Sequence, residues 1–137
     1  MFDANAAPQT GGTGATILVV EDDRLVAQLA RTVLADAGYE VLLASTGEEA
    51  LALGARPGRR LDIVLTDINL PGVDGWEVAR RLAETRPEVR MLTMSASETC
   101  APAQWHGGNQ FRGHLSKPFE WSEAKRLIDA ALNETHC

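Results

Sequence analysis

The sequence predicts an α/β protein, a doubly wound parallel sheet with helices on both faces. Three observations predict it. Short unbroken apolar runs, Ile17-Leu18-Val19-Val20 and Ile63-Val64-Leu65, suit strands buried on both sides. Segments of helical period lie between such runs, so strands and helices alternate five times, as in right-handed βαβ units. Several runs also stop at a residue that carries chemistry, at the strand end where open α/β sheets place their ligands.

Each element has its own signal. Residues 1 to about 15, Phe2 included, read as a flexible tail or linker, with Gly11-Gly12-Thr13-Gly14 as its clearest flexible stretch. The first strand, Ile17 to Val20, ends in Glu21-Asp22-Asp23. A helix follows with Leu25, Val26, Leu29, Val33 and Leu34 on its apolar face, and Gly38 is placed to end it. Asp22 or Asp23 is positioned to cap that helix, since a carboxylate there satisfies free amides. Capping accounts for one acid and not for three in a row. Tyr39 to Ala44 reads as the second strand. Ser45 with Glu48 and Thr46 with Glu49 form overlapping capping boxes before a short helix carrying Ala50, Leu51 and Leu53. Gly54 to Arg60, with Pro57 and Gly58, is a loop whose arginines read as solvated. The third strand ends at Asp67, and Pro71-Gly72 turns the chain. Asp74 with Glu77 opens a helix lined by Trp76, Ala79, Leu82 and Ala83. Val89 to Met94 is the fourth strand, ending at Ser95. Ser97 to Gly113, with Pro102, Gly107, Gly108 and Asn109, leaves room only for a short, irregular fourth helix. His114 to Ser116 is the fifth strand, followed by Lys117-Pro118-Phe119. The last helix, from about Ser122 to Asn133, buries Ala124, Leu127, Ile128, Ala131 and Leu132.

Composition narrows the function. The 137 residues imply one domain with a real core. A net charge of -6 argues against non-specific nucleic-acid binding and suits a site that gathers acids around a cation. Cys100 and Cys137 form no C-x-x-C and read as reduced thiols of a cytoplasmic protein. No signal peptide and no membrane-length apolar run is read in the chain.

If the strand order is 2-1-3-4-5, the strand ends converge on one crevice that holds Glu21, Asp22, Asp23, Asp67, Ser95 and Lys117. Clustered carboxylates repel, and a divalent cation is one remedy. Mg2+ suits oxygen ligands and takes few protein carboxylates, leaving room for phosphate oxygens. An ammonium and a hydroxyl beside such a site complete what phosphoryl transfer to a carboxylate requires.

On these residues the chain resembles a receiver domain of the bacterial response-regulator family, over about Thr16 to Asn133. Glu21-Asp22-Asp23 matches the acidic pocket. Asp67-Ile68-Asn69-Leu70-Pro71-Gly72 matches the phosphoacceptor segment, Met94-Ser95-Ala96 the hydroxyl position, and Lys117-Pro118-Phe119 the lysine and its proline. The resemblance implies a flavodoxin-like fold of five βα units and a receiver spanning residues 16–134. It implies that Asp67 accepts a phosphoryl group from a histidine kinase or histidine phosphotransfer protein and that the domain then contacts a downstream protein target. Asp22, Asp67 and the backbone carbonyl of Asn69 would hold Mg2+, with Glu21 assisting through water. Lys117 would pair with the phosphoryl group, Ser95 would transmit the change, and the Lys117–Pro118 bond would be cis. Asp23 is read either as a helix cap or as a support to the acidic pocket.

Two departures stand out. His114 occupies the position where the family usually has Tyr or Phe, so it is read either as the coupled switch residue or as an uninvolved strand-edge histidine. Gln110-Phe111-Arg112-Gly113 replaces the usual Gly-Ala segment, and Trp105 and Trp121 flank the region as core or docking residues; with its irregular fourth helix and Met94-Ser95-Ala96 the chain resembles C-terminal receivers of hybrid histidine kinases. Because the sequence starts at Met1 and stops soon after the last helix, the expectation is a regulator acting by protein contact rather than on DNA or membrane. A terminal receiver of a hybrid kinase is the alternative. A small aspartyl-phosphate phosphatase is the rival of a different class. It would need a second acid where this chain has Asn69.

Overall fold

The computed structural model describes residues 14–72, 74–96 and 110–133. The expectations for Phe2, Ser97, Cys100, Trp105, Cys137 and the bulk of the irregular fourth helix fall outside these residues.

Five parallel strands, β1 (Thr16–Val20), β2 (Glu40–Ala44), β3 (Ile63–Asp67), β4 (Arg90–Ser95) and β5 (Phe111–Ser116), form one sheet in the order β2-β1-β3-β4-β5. This is the flavodoxin-like arrangement that the sequence predicts. Four helices are described: α1 (Arg24–Asp36), α2 (Gly47–Gly54), α3 (Gly75–Thr85) and α4 (Trp121–Asn133). None of the described helices is long and apolar enough to cross a membrane.

Alternation along the central strands divides the core in two. Ile17, Val19, Ile63, Leu65, Leu92, Met94 and Leu115 face α1 and α4, where Ala30, Leu34, Ala124, Ile128 and Ala131 meet them. Leu18, Val20, Val64 and Met91 face the other way, onto Ala50 of α2 and Val78, Ala79 and Leu82 of α3. Each central strand is thus buried on both faces, which is why β1 and β3 read as continuous apolar runs. Ala15, just ahead of β1, already packs into the first of these clusters.

The helix ends follow their sequence signals. Asp23 is the cap of α1, its carboxylate accepting from the amides of Leu25 and Val26. The same helix ends with the Tyr39 amide bonded to Leu34 and the Gly38 amide to Ala35, a Schellman closure that requires the positive φ of Gly38, 101°. Thr46 caps α2 by accepting from the Glu49 amide, while the Glu49 carboxylate accepts from the amide and hydroxyl of Ser45. Asp74 caps α3. Glu77 does not reach back to close a box there and instead pairs with Arg80 and Arg81 on the surface.

The expected face of α1 is corrected. Its buried residues are Ala27, Ala30 and Leu34, whereas Leu25 and Leu29 are 80% and 49% exposed. Small alanines let the helix lie close to the sheet, and an apolar stripe does not by itself distinguish core from exposed surface. Trp76 is also only half-buried, its ring set against Phe111 at 5.9 Å.

The loop before β3 is less solvated than its arginines suggest. The Arg86 guanidinium donates to the carbonyls of Gly54, Arg56 and Arg59, and so ties α3 to the end of α2.

Gly75 sits where α3 begins against the end of β3. A Cβ there would lie 2.2 Å from the carbonyl oxygen of Asp67 and 2.5 Å from the Ile68 Cα. Backbone cannot yield as a side-chain tip can. Gly75→Ala is therefore expected to cost about 2 kcal/mol in urea unfolding. Gly54→Ala, whose Cβ meets the tip of the Leu82 side chain at 2.2 Å, is expected to cost less than half of that. Equal costs would refute the close-approach explanation.

Candidate functional site

The topology brings the ends of β1, β3, β4 and β5 to one edge of the sheet. Backbone bonds lock them there. The Ile68 amide donates to the Met94 carbonyl at 2.9 Å, and the Lys117 amide donates to the Ser95 carbonyl at 2.8 Å. The peptide bond between Lys117 and Pro118 is cis, as expected.

The charged groups expected to meet do so. Lys117 Nζ donates to Glu21 Oε1 at 2.8 Å and to Asp67 Oδ2 at 2.9 Å. Both acids are almost fully buried, at 2% and 4% exposure, and Asp22 is exposed beside them. The remaining carboxylate oxygens are also held. Asp67 Oδ1 accepts from the Asn69 amide at 3.0 Å, and Glu21 Oε2 accepts from the Asp23 amide at 3.0 Å. Asp23 thus caps α1 and steadies Glu21 through its backbone. Asn69 itself is exposed in the loop after β3.

Burial and charge pull against each other here. Burial pushes the Glu21 carboxyl above its ordinary pKa, with the nearby Asp67 charge adding to it, and outweighs the hydrogen bonds from Lys117 and from the Asp23 amide. Burial alone would lower the Lys117 ammonium, but its bonds to Glu21 and Asp67 outweigh that and raise it. One lysine is therefore too little positive charge for this cluster. Glu21, Asp22 and Asp67 each offer a carboxylate oxygen, and the three oxygens lie within 4.8 Å of one another. All are hard oxygen donors on one side of the crevice, the donor set that suits Mg2+.

Ser95 is fully buried at the end of β4. His114 stands next to it on β5. Its Nδ1 lies 2.7 Å from Thr93 Oγ1 and its Nε2 lies 3.4 Å from Ser95 Oγ. His114 therefore lies beside both hydroxyls, within hydrogen-bond reach of Thr93 and of Ser95. Thr93, wholly buried, was not anticipated as part of this constellation. Only the pairing of Thr93 with His114 across β4 and β5 shows it.

An apolar hollow of about 410 Å3 adjoins the site, lined by Val26, Leu29, Ala96, Pro118, Phe119 and Trp121 beside the stem of Lys117. Trp121 stands edge-on to Phe119 at 5.1 Å.

Comparison with known proteins agrees with this geometry. A protein-family model described as the response regulator receiver domain matches residues 17–130. The DNA-binding transcriptional regulator NtrC of Azospirillum brasilense is 31% identical over 121 residues, covering 88% of this chain and 25% of that protein. The chain spans between a quarter and about half the length of the curated relatives it matches. Among solved structures, a CheY-like receiver domain protein from Methanospirillum hungatei JF-1 superposes with a TM-score of 0.80 at 24% identity, covering 88% of this chain and 95% of that one. The response regulator TrrA of Thermotoga maritima, solved with Mg(2+)-BeF, gives 0.73 at 26% identity, covering 85% of this chain and 98% of that one.

Proposed function

Since the chain belongs to the response regulator receiver domain family of two-component systems, we propose that Asp67 is its phosphoacceptor. The observation that carries the reading is the placement of Lys117 Nζ within 2.9 Å of Asp67, in a crevice where three carboxylates converge.

In the proposed reaction a phosphohistidine of a histidine kinase or phosphotransfer protein enters the crevice. An Asp67 carboxylate oxygen bonds to phosphorus, the phosphorus–nitrogen bond breaks, and the partner's imidazole leaves with the electron pair. Lys117, poised on Asp67 Oδ2, turns its ammonium to the incoming phosphoryl oxygens. Glu21 keeps the lysine stem aimed, and the Asn69 amide fixes the rotation of the Asp67 carboxylate. Mg2+, held by Asp22, Asp67 and the Asn69 carbonyl with Glu21 reached through water, would neutralise charge on the phosphoryl oxygens when bound. That the similar TrrA was solved with Mg(2+)-BeF supports Mg2+ as the ion. Ser95 would then bind a phosphoryl oxygen, and the output would be a changed set of protein contacts in the cytoplasm. We assign this activity to the receiver of residues 16–134, with Ala15 just ahead of it packed into the same core.

Acetyl phosphate with Mg2+, followed by intact mass, tests the reading. One added phosphoryl group is expected, and an unchanged mass would refute it.

Stability carries a second expectation. Glu21 has a folded pKa above its ordinary value of 4.5. Its contribution to stability is therefore present below that value and is lost as pH rises through the raised folded pKa. At neutral pH the metal-free cluster is penalised, and cation binding offsets the penalty. Mg2+ at ten times its Kd should raise unfolding free energy by about 1.4 kcal/mol, seen as a higher Tm. A Tm indifferent to Mg2+ at pH 7 contradicts the assignment of the acids as ligands.

A further inference from the structure

The ring of His114 lies between two hydroxyls on β4, Thr93 at Nδ1 and Ser95 at Nε2. Tyrosine or phenylalanine at this place would offer no pair of ring nitrogens. A neutral imidazole has one donating and one accepting nitrogen, so its tautomer fixes the direction of the whole chain of hydrogen bonds.

We propose that Thr93 and His114 are positioning residues for Ser95, forming a directed hydrogen-bond chain once Asp67 carries its phosphoryl group. The inference rests on the phosphoacceptor reading above. A Ser95 hydroxyl that donates to a phosphoryl oxygen has no proton left for Nε2. The contact with His114 then persists only if Nε2 carries the ring proton and donates to Ser95 Oγ. Nδ1 is thereby left as an acceptor, and Thr93 is the hydroxyl placed to donate to it. The order is Thr93 Oγ1–H to Nδ1, Nε2–H to Ser95 Oγ, and Ser95 Oγ–H to phosphoryl. The ring holds one proton throughout, each hydroxyl keeps its own, and no charge is created.

Two features support a neutral ring. Burial holds the imidazole below its ordinary pKa. The ring also lies on the Thr93 side of the sheet, the face opposite α4, so the charged Glu123 and Arg126 of that helix do not face it. The nearest charged side chains in sequence are Arg112 on β5 and Lys117 just after it.

The test is 15N NMR of the His114 ring in the full chain, with Mg2+ and beryllofluoride as the phosphoryl stand-in and 19F signals reporting its binding. With bound fluoride visible, the ring is expected as the Nε2–H tautomer. Thr93→Val, which keeps the volume but not the hydroxyl, should abolish that single-tautomer pattern and weaken beryllofluoride binding about fivefold, the loss of one neutral hydrogen bond. Thr93→Ser should restore both. A merely structural Thr93 would leave the ring pattern unchanged. Bound fluoride with the ring protonated at Nδ1, or at both nitrogens, overturns the chain and leaves the phosphoacceptor reading intact. A complete lack of bound fluoride overturns both.

Discussion

Asp67→Asn is expected to take up no phosphoryl group from acetyl phosphate, while the fold persists. The amide matches the carboxylate in shape, and its oxygen can still accept from the Asn69 amide that now holds Asp67 Oδ1. What it lacks is the anionic oxygen that must bond to phosphorus. Removing one of three carboxylates also lessens their mutual repulsion, so the variant should unfold no more easily than the parent without Mg2+. Intact mass decides the matter: an added phosphoryl on the variant, mapped to another acid, would show that Asp67 is not the acceptor.

Lys117→Ala should produce the second large effect, and one that depends on the ion. The lysine is the hydrogen-bonding cation for both Glu21 and Asp67. Removing one partner of a buried pair strands the other charge, at a cost of several kcal/mol. Lys117 is about a quarter exposed, which lowers the expected loss to about 2 kcal/mol in chelator. Mg2+ should recover part of that loss, because it supplies charge to the same oxygens. It should not recover phosphorylation, because the ammonium that meets the moving phosphoryl is gone, and the rate should stay down by about a hundredfold or more. Chemical denaturation with and without Mg2+, alongside a mass time course, separates these outcomes. Full recovery of both would show that the lysine is only a structural counter-ion.

The sheet and the acidic crevice were legible because each rests on local signals. Buried parallel strands appear as continuous apolar runs, and the runs through Ile17 and Ile63 stand next to each other as supposed. The chemistry-bearing residues close those runs, so the strand order alone assembles Glu21, Asp67 and Lys117. Caps were legible for the same reason, and the structure chose Asp23 over Asp22. Pairing between distant segments was less legible. The exposure of Leu25 and Leu29 depends on how closely α1 settles onto the sheet, which its alanines control. β5 starts at Phe111 and not at His114, because an edge strand needs apolar residues on only one side and lacks the unbroken run of β1. Thr93 looked like an ordinary strand residue, since its partner lies 21 positions further along.

The join between β4 and β5 slips by one residue: Met91 faces Phe111, but Leu92 faces Gly113, so Arg112 is a spare. Phe111 and His114, three apart, therefore come to the same side of the sheet, where an unbroken strand would set them on opposite sides. The spare residue thus lets Phe111 meet Trp76 of α3 while His114, on the same side, keeps its two hydroxyl partners.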